Sequence, residues 1–130
     1  MNERTVEIKA EDLHMTLEHL KQEGYAYLSF ITAADYGDFL KVFYRLVNID
    51  NGSSVIVEVE LDGENAEIDS CANLFKGADW HEREVYDLLG IKFKGHPGLK
   101  RILLPDDFKG HPLRKNWSAD DVERRPGDFV

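Results

Sequence analysis

The feature that most constrains this chain is an alternation across residues 53–61. Val55, Val57, Val59 and Leu61 fall on one side, and Glu58 and Glu60 on the other. A period of two with one charged side describes a strand that buries one face and wets the other. Two further segments, 25–33 (YAYLSFITA) and 39–48 (FLKVFYRLVN), are rich in the aromatic and β-branched residues that strands favour. Asp50-Asn51-Gly52 divides the last two strands, and Asn-Gly suits the positive φ angles of a type I′ turn, so a hairpin is expected there. Val6 and Ile8 alternate with charged neighbours, which allows a short edge strand. One small sheet has to cover one of its faces. The expected covers are a helix at 11–23, with Leu13, Leu17 and Leu20 at helical spacing and Gly24 as its stop, and a second helix at 79–89. The fold class is therefore read as α+β: an N-terminal helix on a small antiparallel meander, a second helix, and an extended C-terminal arm.

The second helix carries its own signals. Asp79 stands where a cap belongs, and Glu82 three residues on completes a capping-box pattern. Gly90 supplies the stop. At about 100° per residue, Val85, Leu88 and Leu89 share one side, while Trp80, Arg83, Glu84 and Asp87 share the other. A charged face that also carries an indole is expected to meet a partner or the C-terminal arm, because a solvated face has little use for tryptophan.

Beyond Gly90 the texture changes. Gly95, Gly98, Gly110, Pro97, Pro105 and Pro112 interrupt residues 91–117, and Gly-His-Pro occurs at 95–97 and again at 110–112. Long regular elements are not expected there. Aliphatic anchors alternate with basic residues, so the division expected is an α+β domain over 1–90 and a partner-binding arm and tail over 91–130, whose stability falls toward Val130. The chain of 130 residues carries a net charge of −9, with 16 acids against 6 bases in residues 1–80 but 5 against 8 in residues 81–117. An acidic body argues against nucleic acid as the main partner. No apolar run is long enough to span a membrane, and no secretory signal opens the chain, so a soluble intracellular domain is expected. One cysteine, Cys71, excludes an internal disulfide and a self-contained cysteine-ligated cluster.

Four chemistries can be weighed on the residues alone. His81, His96 and His111 could gather a metal, but their spacing is not that of a zinc site, and histidines bonding backbone in tight turns is the simpler reading. Glu82, Glu84 and Asp87 could do acid–base work, yet Arg83 and Asp87 four residues apart are more simply an ion pair. Cys71 has no adjacent histidine and reads as a small buried residue. Neither standard glycine-rich phosphate cradle occurs. A free-standing metal or acid–base enzyme using His96, His111 and the acids at 82–87 remains the reading of a different class.

One long pattern is left over. It runs Trp80-His81-Glu82-Arg83-Glu84-Val85-Tyr86-Asp87-Leu88-Leu89-Gly90-Ile91, then Phe93, Gly95-His96-Pro97, Leu99-Lys100-Arg101-Ile102-Leu103, and Gly110-His111-Pro112-Leu113-Arg114-Lys115. This resembles the signature of the C subunit of the proton-pumping NADH–quinone oxidoreductase, respiratory complex I, shared with the related subunit of energy-converting membrane-bound NiFe hydrogenases. Gly98-Leu99-Lys100-Arg101 replaces the more usual Asp-Leu-Arg-Arg, and Lys115-Asn116-Trp117 replaces Lys-Asp-Phe. The helix–meander–helix order extends the resemblance over nearly the whole chain. It implies a peripheral-arm subunit on the cytoplasmic side of the cell membrane, with no catalytic site, cofactor or metal of its own. NADH, quinone and iron–sulfur clusters (or NiFe) would belong to neighbouring subunits. The implied partners are the large subunit at the quinone site and the iron–sulfur subunits, with membrane contact only through the complex. The chain is short beside bacterial members, which keeps the hydrogenase-type subunit as the alternative. The residues expected at the partner interface are Trp80, Arg83, Glu84, Asp87, His96, Arg101, Ile102, Leu103, His111, Leu113 and Arg114.

Overall fold

A computed structural model describes residues 3–99 and 110–115. Strand β1 (Glu3–Ile8) leads through a single 3-10 turn into helix α1 (Leu13–Gln22), followed by β2 (Tyr27–Asp35), β3 (Phe39–Val47) and β4 (Ser54–Asp62). These four strands form one sheet in the order β1-β4-β3-β2. The two hairpins give the antiparallel meander, and the edge strand at Val6 and Ile8 is present. That edge runs parallel to β4, from Glu3 opposite Ser54 to Ile8 opposite Val59, so the sheet is mixed rather than wholly antiparallel. Chain direction accounts for this. Helix α1 returns the chain so that β2 runs the same way as β1, and two hairpins later β4 does so again.

The alternation in β4 is realised in full. Val55, Val57, Val59 and Leu61 are buried, as are Leu40, Val42, Tyr44 and Leu46 of β3, and Leu13, Leu17 and Leu20 of α1 pack into the same core. On the other side of the sheet Lys41 pairs with Glu58 at 3.8 Å and Arg45 with Glu3 at 2.9 Å.

The β3–β4 hairpin is not closed by the expected type I′ turn. Gly52 has a φ of +76°, but no residue other than glycine takes a positive φ among the described residues, whereas that turn needs one at both central positions. A longer loop forms instead, with Asn48 N–H bonded to Ser53 O and Gly52 N–H to Asn48 O, both at 2.8 Å. Asparagine side chains hold it: Asn48 Oδ1 accepts from Asp50 N–H, and Asn51 Oδ1 from Ser53 N–H.

The second half adds β5 (Glu67–Asp69), α2 (Ala78–Leu89) and β6 (Lys92–Lys94). β5 and β6 are parallel, with Ile68 opposite Phe93, so this is a small strand–helix–strand unit. Ile91 and Phe93, both beyond Gly90, belong to the core. Gly90, at φ +75°, ends α2 as expected. The start of α2 departs from the capping-box reading. Gly77 is the cap residue and no side chain caps the helix, so Asp79 lies inside the first turn. Glu82 does not reach back to the cap, because its carboxylate turns into the interior. The winding begins earlier, in the turn where Leu74 and Phe75 N–H groups bond to Cys71 O.

Candidate partner-binding face

Two clusters fix the surroundings of α2. The first, at its N-terminal end, centres on Glu82, which is fully buried. Ser70 Oγ donates to Glu82 Oε1 at 2.6 Å, and Cys71 N–H donates to Oε2 at 2.8 Å. His96 Nε2 stands 3.9 Å from Oε1 and 2.7 Å from Asp79 Oδ1. Burial pushes the Glu82 carboxyl above its ordinary value of 4.5, and the Ser70 and Cys71 hydrogen bonds only partly oppose that. The Cys71 thiol is pushed up too, first by burial and then by the neighbouring Glu82 charge. This thiol is inert rather than nucleophilic. The hydroxyl of Tyr44 is the one buried side-chain polar atom among the described residues with no hydrogen-bond partner.

The second cluster is the segment 110–115, which lies along the C-terminal half of α2. His111 Nδ1 meets Asp87 O at 2.9 Å, its ring packs 5.6 Å from that of Tyr86, and Leu113 N–H donates to Leu88 O at 2.8 Å. Arg114 finishes the attachment. Its Nε donates to Asp35 Oδ2 at 3.0 Å, Nη1 to Leu89 O at 3.2 Å, and Nη2 to Gly63 O. The same Asp35 oxygen accepts Lys115 N–H, and Oδ1 accepts Gly37 N–H. Burial works against the Asp35 charge, but those two N–H groups and the Arg114 guanidinium outweigh it and hold the carboxyl below its ordinary 3.8. Gly90 makes room for this strap, since a Cβ there would stand 2.7 Å from His111 Cδ2.

The expected interface residues separate into three kinds. Trp80 and Leu113 are exposed, at 54% and 57%. Arg83 lies over the Trp80 ring, 5.9 Å from its centroid, and Arg83 and Glu84 are half-buried. Asp87, expected to meet a partner or the C-terminal arm, is fully buried, and His111 of the strap meets its backbone oxygen. His96, His111 and Arg114 face inward and bind other parts of this chain. Arg101, Ile102 and Leu103 lie outside the described residues. Asp35, Gly63 and Ser70 join these clusters without a sequence signal for that role. Asp35-Tyr36-Gly37 carries a turn signal, but nothing nearby in the sequence ties it to an arginine 79 positions away.

The sequence from residue 6 to residue 123 matches the family described as the 30-kDa subunit of the respiratory-chain NADH dehydrogenase. The chain belongs to that family. Among members of the 30-kDa subunit family, it is 41% identical over 128 residues to the C subunit of the NADH-quinone oxidoreductase of Citrifermentans bemidjiense, covering 95% of this chain and 80% of that one. It is 41% identical over 113 residues to the C subunit of the Moorella thermoacetica enzyme, covering 85% and 76%. The C/D subunit of the Shigella flexneri serotype 5b enzyme is 40% identical over 121 residues, 92% of this chain but 19% of that longer one. A solved trypsin-resistant fragment of Nqo5 aligns with a TM-score of 0.69 at 32% identity, over 73% of this chain and 81% of the other. A chain of the membrane-bound sulfane sulfur reductase, an archaeal respiratory membrane complex, aligns with a TM-score of 0.82 at 22% identity over 93% and 75%. That second likeness concerns the fold. No helix among the described residues is long and apolar enough to cross a membrane.

Proposed function

We propose that this chain is a peripheral-arm subunit of an ion-translocating NADH–quinone oxidoreductase. In this reading it carries no cofactor and assembles the complex beside the large quinone-site subunit and the iron–sulfur subunits, on the cytoplasmic side of the membrane. The observation that carries the reading is the division of labour on α2. His96, His111, Glu82 and Arg114, the side chains with chemistry to offer, are engaged inside the chain, and they hold in place a helix that presents Trp80 outward with Arg83 across its ring. A rigid indole beside an arginine is the composition that partner surfaces concentrate.

Replacing Trp80 with serine in the chain expressed with its complex is the test. Assembly of the complex and membrane NADH–quinone reductase activity should fall together, roughly tenfold or more if a contact of about 2 kcal/mol is lost. The melting temperature of the separate chain should hardly change, since the indole is half in solvent. Unchanged assembly, or assembly lost only in step with the chain's own stability, would contradict the reading.

A further inference from the structure

The turn after β6 is closed by a side chain. His96 Nδ1 accepts the Gly98 N–H at 2.9 Å, the bond that an asparagine Oδ1 makes to the residue two places on in an Asx turn. An acceptor at Nδ1 leaves the ring proton on Nε2, which faces Asp79 Oδ1 at 2.7 Å and the Asp79 carbonyl at 3.3 Å. The ring is sealed, with its side chain 1% exposed. Charged and titratable groups gather round it from each neighbouring element. Asp79 and Glu82 come from α2, and Cys71, from the loop after β5, joins the cluster through its N–H bond to Glu82. Asp69 of β5, Lys94 of β6 and His14 of α1 line the adjoining cleft of about 470 Å³, with Gly95 and Pro97 on its rim.

We propose that His96 is a proton-operated latch for the turn at residues 95–98. With a neutral ring, Nδ1 holds the Gly98 N–H and the turn is closed against the start of α2. A second ring proton, taken up at Nδ1 when the turn opens to solvent, turns that acceptor into a donor. The Gly98 N–H is then released, and the imidazolium that results lies 2.7 Å from an Asp79 carboxyl oxygen and 3.9 Å from one of Glu82. Histidine is the side chain suited to this, because the same ring nitrogen accepts a hydrogen bond when bare and donates one when protonated. Asp79 precedes Trp80, so the latch regulates the docking end of α2. Its consequence for the complex rests on the proposed function, whereas the latch itself belongs to this chain alone.

An NMR titration of the full chain between about pH 8 and pH 5 tests it. At the upper end the ring nitrogens should report the Nε2–H tautomer, and the Gly98 amide should be protected from exchange. As the ring titrates, that protection should fall roughly tenfold or more, with the same midpoint, after correction for the intrinsic pH dependence of exchange. His96→Asn should keep the amide protected without pH dependence, because Oδ1 stands where Nδ1 stood. An Nδ1–H tautomer would overturn the latch. So would protection that ignores the ring's titration, or an Asn variant whose protection still follows pH. Failure of the docking reading shows elsewhere, as assembly indifferent to Trp80.

Discussion

Arg114 and Asp35 sit far apart in sequence, yet they attach the segment 110–115 to the end of β2. The Asp35 side chain is 4% exposed, so its charge depends on the donors around it. Its carboxyl titrates below the ordinary 3.8 in the folded chain. The stabilisation is therefore present above that value and is lost as pH falls through the lower folded value. Asp35→Ala should cost about 3 kcal/mol, since it leaves a partly buried guanidinium without its carboxylate. It should also flatten the acid limb of a stability-versus-pH curve measured by chemical denaturation. A variant that keeps the wild-type acid limb would contradict this. Glu82 works with the opposite sign. Its folded value is raised above 4.5, so the folded chain retains a proton that the unfolded chain has lost, and stability falls as pH rises through that interval. Neither behaviour was legible in the sequence. Glu82 reads as a capping residue because Ser70 and Cys71, the groups that draw it inward, lie 12 and 11 positions away. Asp87 reads as meeting either a partner or the arm, and the sequence does not single out His111, 24 positions on, as the residue that meets its backbone oxygen.

At the scale of elements, the periodic segments were legible because a buried face repeats every two or every 3.6 residues over a useful length. Val55 to Leu61 is the clearest case. β5 and β6, with three residues each, are too short to show a period, and their pairing depends on α2 returning the chain between them. The parallel pairing of β1 with β4 escaped for a related reason: it follows from counting chain reversals, not from any local pattern. Gly90 joins two elements at once. It takes a φ of +75° at the end of α2, and it leaves the space that His111 fills. Gly90→Ala should destabilise the chain by about 1–3 kcal/mol from backbone strain alone. It should also expose the amides of Leu113 and Arg114 to hydrogen exchange, because the ring beside position 90 has to move. Wild-type protection at Leu113 would show that the strap does not depend on that space.

In the molecule as a whole, the groups that hold the chain together are distinct from those it offers outward. The sheet, α1 and the buried valines make the body. α2 is fastened to it by a buried acid at one end and an arginine strap at the other, and Trp80 and Leu113 are left on the surface. The long pattern from Trp80 to Lys115 was legible in sequence as a signature. Its division into inward and outward residues was not, since both kinds include charged side chains. The most direct test of the central claim places a photo-crosslinking residue at position 80, at position 113, and at the exposed Ile49 of the β3–β4 loop as the comparison, with each chain assembled in its native membranes. Adducts at positions 80 and 113 that contain another subunit of the same oxidoreductase, well above the yield at position 49, are the expected result. Yields at 80 and 113 no higher than at 49 would contradict the claim that this face of α2 is where the chain docks.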